Sequence, residues 1–408
     1  MKKIGLFLFD ICFALQMVAQ EQNYFTNPVI RGDVPDPSVI RIEDTYYATG
    51  TSSEWAPFYP MFTSKDLVNW KQVGHVFTKQ PSWTSNSFWA PELFYHNNKV
   101  YCYYTARQKS TGISYIGVAT SDSPLHEFTD HGPIVEYGKE AIDAFIYDDN
   151  GQLYISWKAY GLDTRPIELL GCKLSADGLH LDGEPFTLLV DEKGIGMEGQ
   201  YHFKEGDYYY IVYAAHGCCG PSSDYDVYVA RARNYGGPYE KYSGNPILHG
   251  GEGDYKSCGH GTVVRTSDGR MFYMCHAYLK GDGFFIGRQP ILQEMEMTDD
   301  HWVRFKTGNL AIAEQPIPFV GTKQEPLSDF EDNFKGNQLK VDWTWNYPYS
   351  DIHAVLKKGK LFLSGTPKNN NKYGTALCLR PQSPQYSCET KVINTGKGLK
   401  GLTLYGDD

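Results

Sequence analysis

Three carboxylates and a histidine stand at the start of strand-like segments that are far apart in the sequence: Asp36, Asp143, Glu198 and His260. Asp36 lies between two prolines in Val34–Val39. Proline fixes its own φ and restricts the residue before it, so Asp36 is predicted to be held rigidly in an extended conformation. A rigid carboxylate at the head of a strand suits a catalytic base, although an ordinary Asx turn has the same sequence pattern.

The chemistry that such a set suits is glycoside hydrolysis. One carboxylic acid protonates the leaving oxygen, while a second, ionised carboxylate deprotonates water or attacks the sugar carbon directly. A third carboxylate nearby can raise the pKa of the acid by like-charge repulsion and can orient it. The sequence has no GxSxG elbow, P-loop or HExxH motif, so it does not support the competing chemistries that these motifs carry.

Five copies of one pattern run through most of the chain. Each copy is a strand, a tight turn rich in Asn, Asp or Gly, and an aromatic strand, which together predict a β-hairpin. The copies begin near residues 36, 91, 143, 198 and 260, so the period is 52–62 residues, and further strands follow each hairpin. Four strands per repeat and almost no helical periodicity predict an all-β fold, with a five-bladed β-propeller over residues 27–318.

The repeat assigns the four candidate residues to equivalent positions. If the copies are blades, then Asp36, Asp143, Glu198 and His260 occupy the head of the same strand in four of them. The strand nearest the propeller axis is the natural candidate, so their side chains are expected to converge at one end of the central channel. Packing alone does not explain such a meeting, because buried like charges are costly unless they are used or paired.

The composition is that of a globular protein with a large core. The chain has 408 residues, of which 41% are hydrophobic and 21% are charged, and this length allows one large all-β domain and a smaller one. The net charge of −10 argues against nucleic acid or an anionic membrane surface as a partner. Aromatic residues make up 15% of the chain; most must pack between strands, and some can stack on sugar rings.

A set of short motifs occurs in a fixed order along the predicted propeller. They are Asp33–Ser38, Ser64–Trp70, Phe88–Glu92, Ile142–Ala144, Met197–Gly199, Gly259–Gly261 and Gly287–Pro290. In these motifs the chain resembles glycoside hydrolase family 43, the inverting five-bladed propeller enzymes that act on arabinose- and xylose-containing polysaccharides. The resemblance implies an α-L-arabinofuranosidase or β-xylosidase that releases arabinose or xylose units from plant cell-wall poly- or oligosaccharides.

Carried over to the matching positions, the resemblance implies a role for each residue. Asp36 is the general base that activates water, Glu198 is the general acid, and Asp143 tunes the pKa and the position of the acid. Trp89 resembles the aromatic wall of the sugar pocket, and its alternative is a tryptophan packed between blades. Arg288 resembles the arginine that donates to sugar hydroxyls, and its alternative is a salt bridge to a core carboxylate.

His260 matches a central histidine of the family, which borders the substrate and in many members faces a calcium ion or water in the channel. A structural Ca²⁺ at His260, bound directly or through water, is therefore one hypothesis, and a core histidine with satisfied hydrogen bonds is the other. No cofactor is expected for the chemistry itself. Glu92, at the head of the second hairpin, and the loop His216–Gly220 can also border the cleft, although neither has an assigned role.

The N-terminal segment has the shape of a signal peptide. Within residues 1–19, Lys2 and Lys3 precede an apolar run, Ile4–Val18, which is followed by the small residue Ala19, although Asp10 interrupts the run. We therefore expect export to the periplasm or the extracellular space. The alternative is a buried N-terminal helix. No later apolar run is long enough to span a bilayer.

A polar linker, residues 319–326, is predicted to separate the propeller from a different pattern in residues 327–408. Alternating segments there predict strands of a β-sandwich: Leu361–Gly365, Ala376–Arg380, Tyr386–Val392 and Gly401–Tyr405. This part resembles the concanavalin-like β-sandwich that follows the propeller in many family members. It is much shorter than those domains, so we expect an incomplete, truncated sandwich.

Three alternatives stay open on the sequence alone. The same motifs suit an arabinanase or a galactan-directed hydrolase, because they do not separate sugars, linkages or exo from endo action. A non-catalytic carbohydrate-binding propeller is a second class, which the presence of all three acids disfavours. A retaining enzyme of the fructan-hydrolase kind is a third, and its Asn-Asp-Pro-Asn-Gly segment is absent from this sequence.

Overall fold

Five antiparallel sheets follow one another along the chain, each built from consecutive strands. The computed structural model describes residues 23–281, 284–371, 374–393, 396 and 398–404. The signal peptide predicted for residues 1–19 lies outside the described residues. Among the residues that are described, no helix has the length and apolarity needed to cross a membrane.

The strands of the first three sheets are numbered here in chain order after β1 (Tyr24–Thr26). Blade 1 consists of β2 (Ser38–Ile42), β3 (Thr45–Thr49), β5 (Phe58–Ser64) and β6 (Lys71–Phe77), with the short β4 (Trp55–Ala56) between β3 and β5. Blade 2 consists of β7 (Thr84–His96), β8 (Lys99–Gln108), β9 (Ser114–Ser121) and β10 (Thr129–Val135). Blade 3 consists of β11 (Ala141–Asp149), β12 (Gln152–Ala159), β13 (Glu168–Lys173) and β14 (Phe186–Val190).

The remaining strands complete two further sheets and the C-terminal segment. Blade 4 consists of β15 (Glu198–Glu205), β16 (Tyr208–Ala215), β17 (Asp226–Ala232) and the short β18 (Glu240–Lys241) and β19 (Leu248–His249), which both pair with β17. Blade 5 consists of β20 (Tyr255–Arg265), β21 (Met271–Leu279), β22 (Gln289–Met297) and β23 (Val303–Phe305), with a 3-10 turn at Phe284–Ile286. The chain continues with β24 (Glu314–Pro316), β25 (Trp345–Asn346), β26 (His353–Leu356) and β27 (Leu361–Ser364).

This order confirms the five-bladed β-propeller, and each predicted hairpin forms the first two strands of a blade. The N-terminal segment ties the ring to its last blade. Strand β1 pairs with β24, and the Asn27 side chain donates to the Leu292 carbonyl oxygen (2.9 Å) while accepting from the Leu292 N–H (2.8 Å). The ring is therefore closed by side-chain bonds to β22 and by a separate two-stranded sheet.

Hydrophobic packing between blades holds the ring together. The buried side chains form five clusters, and each cluster is shared by two neighbouring blades. At the closure, for example, Val39 and Phe62 of blade 1 pack with Phe272 and Leu292 of blade 5. Apolar residues that alternate along the strands face these clusters, so each blade is stabilised by the apolar surface that it buries against its neighbours.

The C-terminal segment agrees only in part with the predicted strands. Residues 361–364 form β27, which pairs with β26 in a hairpin. Residues 376–380 contain a single bridge, between Cys378 and Thr344, and neither residues 386–392 nor the described residues 401–404 form a strand. A strand needs a neighbour to satisfy its backbone groups, and these segments have no such neighbour among the described residues. The β-sandwich itself stays a prediction.

Candidate active site

The inner strands of three blades start with the same backbone irregularity. The register between the first and second strands shifts near Asp143 in blade 3, Gly199 in blade 4 and His260 in blade 5, which marks a β-bulge. These residues have positive φ values of 59°, 60° and 48°. The bulge residue of blade 4 is thus Gly199, and Glu198 lies one residue before the position that the repeat predicted.

Asp36 is not extended, contrary to the prediction from its flanking prolines. Its φ of 56° lies in the left-handed region, which costs a non-glycine residue about 1–2 kcal/mol. Two hydrogen bonds hold it there. The Asp36 N–H donates to His276 Nδ1 (3.1 Å), and Thr51 Oγ1 donates to Asp36 Oδ2 (2.6 Å). These partners come from β21 and from the loop after β3, so the conformation is set by tertiary contacts.

The Asp36 carboxylate lies among positively charged and polar groups. Arg288 Nη1 is 3.5 Å and His260 Nδ1 is 3.4 Å from Asp36 Oδ1. Burial alone would raise the pKa of Asp36, but Arg288, His260 and His276 together hold it well below its usual range. Asp36 is therefore ionised, which is the form that a general base needs.

Asp143, in contrast to Asp36, favours its protonated form. Its N–H donates to Thr105 Oγ1 (3.2 Å), and its Oδ2 accepts from the Gly199 N–H (3.1 Å). Burial raises the pKa of Asp143 to about 7; His260 opposes this shift and the Glu198 carboxylate adds to it. Asp143 therefore keeps its proton at pH values where an exposed aspartate has lost it.

Glu198 is bound by a lysine that the sequence did not single out. Glu198 Oε2 accepts from Lys158 Nζ (2.7 Å), and Oε1 accepts from the Tyr225 hydroxyl (3.0 Å). Burial would raise the pKa of Glu198, but Lys158, His260 and Tyr225 together lower it, with Lys158 as the main contributor among them. Because Glu198 and Asp143 act on each other, the two carboxyls titrate as a pair, in which Asp143 holds a proton more strongly than Glu198.

His260 lies between two carboxylates of the site. Its Nδ1 is 3.4 Å from Asp36 Oδ1 and 3.8 Å from Asp143 Oδ2. A Cβ at Gly199 would stand 2.5 Å from His260 Cγ, so only glycine allows this approach. Within the described residues, no group of three or more His, Cys, Asp or Glu side chains is arranged to hold a metal ion. The Ca²⁺ hypothesis for His260 stays a prediction.

The two predicted binding residues lie beside these groups. Arg288 pairs with Asp36, which fits the salt-bridge alternative and leaves its other guanidinium donors for a ligand. Its backbone N–H donates to Asp33 Oδ1 (2.8 Å), which fixes the turn that carries it. Trp89 is half-buried, and in the described structure it is in none of the hydrophobic clusters, which favours the pocket wall over blade packing.

The C-terminal segment supports the part of β7 that carries Trp89. The Tyr347 hydroxyl donates to Glu54 Oε2 (3.2 Å) and to the Ser85 carbonyl oxygen (2.9 Å). Glu54 Oε1 in turn accepts from the Ser87 N–H (3.1 Å). A residue far along the chain therefore fixes the wall of the cleft.

The sequence reasoning missed Lys158 and His276, which hold Glu198 and Asp36. Both occupy one position of the repeat, because Lys158 pairs with Ile142 and His276 pairs with Gly259, each one residue before its bulge. Thr105 has the corresponding place opposite Trp89 in blade 2. Aligning the second strands of the five hairpins, and not only the first, would have found them.

The structure also locates two weaker candidates, Glu92 and the loop His216–Gly220. Glu92 lies on β7, and burial raises its pKa to about 8, with Ser38 as its hydrogen-bonding neighbour. The loop after β16 contains a disulfide between the adjacent residues Cys218 and Cys219. This loop borders blade 5, since the Gly220 N–H donates to the Tyr278 hydroxyl (2.9 Å).

A five-bladed propeller with an ionised carboxylate and a protonated carboxyl at the heads of its inner strands, and an arginine beside them, fits a hydrolase of glycosidic bonds. The sequence model of glycosyl hydrolases family 43 matches residues 25–303. The chain belongs to this family, and it is a glycoside hydrolase.

Curated relatives and solved structures agree with this assignment. The chain is 28% identical over 415 residues to a xylan 1,3-beta-xylosidase of Vibrio sp., covering 93% of this chain and 76% of the relative. It is 30% identical over 309 residues to the extracellular exo-alpha-(1->5)-L-arabinofuranosidase ArbA of Cellvibrio japonicus (strain Ueda107), covering 66% of this chain and 84% of the relative. The solved GH43B structure of Bacteroides ovatus has a TM-score of 0.73 at 24% identity, over 88% of this chain and 72% of that one, which shows the fold.

Proposed function

We propose that this chain is an inverting glycoside hydrolase that releases arabinose or xylose units from plant cell-wall poly- or oligosaccharides. The names of the Vibrio and Cellvibrio japonicus relatives support these two sugars. The observation that carries the proposal is the meeting of three carboxyls, Asp36, Asp143 and Glu198, around His260 at the heads of the inner strands. Asp36 is ionised, whereas the pair of Asp143 and Glu198 holds a proton.

The proposed reaction takes place in one displacement. Asp36 removes a proton from a water molecule, whose oxygen forms a bond to the anomeric carbon while the glycosidic carbon–oxygen bond breaks. Glu198 gives its proton to the departing oxygen. Asp143 contributes by sharing the proton of the pair with Glu198 and by accepting from the Gly199 N–H next to it. Arg288 stabilises the ionised base and faces the sugar. The released sugar has the inverted anomeric configuration.

Substitution of the two proposed acid–base residues tests the mechanism. Asp36→Asn and Glu198→Gln keep the shape of the site, so we expect both to lose at least about 10²-fold in kcat on p-nitrophenyl α-L-arabinofuranoside or β-D-xyloside while still binding the sugar. Asp122→Asn, at an exposed turn, is the matched control. Wild-type turnover in either variant, or a first product of retained configuration by NMR, would contradict the proposal.

The alternatives differ in substrate and are separated by products. A hydrolase that acts inside arabinan or galactan would release oligosaccharides first, whereas an exo-acting enzyme releases single sugars from the start. A screen over arabinan, arabinoxylan, galactan and the two nitrophenyl glycosides decides between them. Sugar binding by calorimetry without any turnover would favour the non-catalytic propeller.

Export is part of the proposal. The basic and apolar pattern of residues 1–19 supports a signal peptide, and a polysaccharide substrate is met outside the cytoplasm. Expression of the full chain followed by N-terminal sequencing of the periplasmic and secreted protein tests it. A mature protein that still begins at Met1 and stays in the cytoplasm would contradict export.

A further inference from the structure

Lys158 lies between two carboxylates, of which the reaction proposed above uses only one. Its Nζ is 2.7 Å from Glu198 Oε2 and 3.8 Å from Glu140 Oε2. Lys158 comes from the end of β12, Glu140 precedes β11, and Glu198 begins β15 of the next blade. The three side chains thus form a row, with the ammonium within a short movement of either carboxylate.

The row is enclosed, so its charges act strongly on one another. The side chains of Lys158, Glu140 and Glu198 are 12%, 11% and 18% exposed. A Cβ at Gly161 would stand 2.3 Å from Glu140 Oε2 and 2.9 Å from Lys158 Cε, so the backbone of Gly161 covers the pair. Ion pairs shielded from water in this way have interaction energies well above those of surface pairs.

In this arrangement, Glu140 can still accept a hydrogen bond. Its Oε2 is buried and makes no hydrogen bond within the described residues. A buried carboxylate oxygen without a donor is costly, and the Lys158 ammonium lies 3.8 Å from it. Burial raises the pKa of Glu140, while Lys158 opposes that shift.

The chemistry favours a position of the ammonium away from Glu198 while Glu198 is protonated. A general acid must be protonated when it meets the leaving oxygen, and an ammonium that donates to Glu198 Oε2 at 2.7 Å favours the ionised form. After the proton has been given up, the same contact stabilises the product state. The second carboxylate of the row offers the ammonium a place during the first stage.

We propose that Lys158 is a positioning residue of the general acid, whose ammonium moves from Glu198 to Glu140 when Glu198 takes up its proton and returns when Glu198 has given the proton to the leaving group. The ammonium stays charged throughout. The proton enters Glu198 from Asp143 or from solvent and leaves with the departing alcohol. This inference rests on the proposed function, because it assigns a partner to the acid of that reaction.

Several other ionisable groups face the row and contribute to its titration. Asp143, Tyr225 and His260 act on Glu198, Asp143 also acts on Lys158, and Arg107 acts on Glu140. All of them are retained in the variants below, so a difference between variants reports the Lys158 and Glu140 charges alone.

The test is the pH profile of kcat/KM on a disaccharide, whose leaving group needs the acid. Lys158→Met removes the charge that favours ionised Glu198, so the high-pH limb should move up by about 1–3 units. Glu140→Gln removes the alternative partner and a repelling charge, so the limb should move down by about one unit. Opposite shifts are a signature that a merely structural role would not produce.

Three further measurements complete the design. Lys158→Arg keeps the charge and should restore the limb to within about half a unit of the wild type, which also shows that the site tolerates substitution. Lys173→Met, at an exposed position of β13, is the control. On a 2,4-dinitrophenyl glycoside, which departs without acid help, the limb should be the same in all variants.

The outcomes separate this inference from the function on which it rests. Unshifted limbs in both Lys158→Met and Glu140→Gln, or shifts in the same direction, would overturn the role of Lys158. If Glu198→Gln keeps full activity on the disaccharide, the proposed function itself fails. If Glu198→Gln loses activity on the disaccharide but keeps it on the dinitrophenyl glycoside, Glu198 is the acid and the limb shifts decide on Lys158.

Discussion

His276 Nδ1 lies 3.1 Å from the backbone nitrogen of Asp36 and 3.1 Å from its Oδ1. A single ring atom on blade 5 thus contacts both the backbone and the carboxylate of the proposed base on blade 1. Burial lowers the pKa of His276 to about 4, although Asp36 opposes that shift, so the ring is neutral at the pH of most assays.

Replacing the His276 ring should weaken Asp36 as a base, although Asp36 itself is unchanged. We expect His276→Ala to lower kcat by about 10-fold and to reduce the free energy of unfolding by about 1–3 kcal/mol, because the Asp36 amide loses its buried acceptor. His276→Asn offers an amide oxygen at a similar place and should recover part of both losses. His126→Ala, at an exposed position, is the control. Unchanged kinetics in His276→Ala would show that Asp36 holds its conformation alone.

Catalysis should require glycine at position 199 because a side chain there would collide with His260. The effect of this collision can be separated from the effect of backbone strain. Gly199 and Gly206 have φ values of 60° and 57°, but only a Cβ at Gly199 would meet another side chain, at 2.5 Å from His260 Cγ. Gly206→Ala should therefore cost about 1–2 kcal/mol of stability and leave kcat unchanged. Gly199→Ala should cost more and should lower kcat at least 10-fold, because His260 or Glu198 must shift. Equal effects on kcat would contradict the close approach.

The buried Asp143 should make stability fall as the pH rises. Its pKa is raised to about 7 in the folded protein from an ordinary value of 3.8, so its contribution is fully present below pH 4 and is lost progressively between pH 4 and pH 7. Asp143→Asn lacks this loss. The unfolding free energy of the variant minus that of the wild type should therefore increase by about 2–4 kcal/mol over that window, at about 1.4 kcal/mol per unit.

Urea denaturation of both proteins at pH 4, 5.5 and 7 measures this difference. Asp122→Asn, in an exposed turn, supplies the baseline for an exposed aspartate. A difference that stays flat across the three pH values would mean that Asp143 is ionised in the folded protein.

The hydroxyl of Tyr347 should affect substrate binding from outside the propeller. It donates to Glu54 and to the Ser85 carbonyl oxygen, and these bonds hold the segment before Trp89. Tyr347→Phe removes both bonds, so we expect KM to rise about 3- to 10-fold, equivalent to about 0.5–1.5 kcal/mol, with little change in kcat. Tyr386→Phe, on an exposed tyrosine, is the control. Steady-state kinetics that are identical for the two variants would argue against this support.

Local patterns predicted the parts of the fold that depend on local chemistry. Turn residues and aromatic strands recur with each blade, so the five hairpins and the blades that supply Asp36, Asp143, Glu198 and His260 could be read from the sequence. The bulges could not, because a one-residue register shift is decided by partners on another strand. The left-handed Asp36 depends on His276 and Thr51 in the same way.

Ion pairs between residues far apart in the sequence could not be predicted from the sequence either. Lys158 reads as an ordinary residue after Trp157 in an aromatic strand, and only the meeting of two blades brings it to Glu198. The strands predicted in residues 376–404 do not form in the described residues, because a local sequence pattern is not sufficient for a strand. Alternating side chains favour a strand, but a strand forms only where a neighbour accepts its hydrogen bonds. Among the described residues, β27 has such a neighbour, whereas residues 376–380 have a single bridge.

The contact between His276 and Asp36 has a consequence for biosynthesis. Asp36 leaves the ribosome with the first blade, whereas His276 and Arg288 leave with the last. A nascent chain can therefore fold early blades without gaining a working base. Hydrolytic activity should appear abruptly, when blade 5 docks onto blade 1 and its side chains reach Asp36, so the chain is expected to be inactive until blade 5 has been translated.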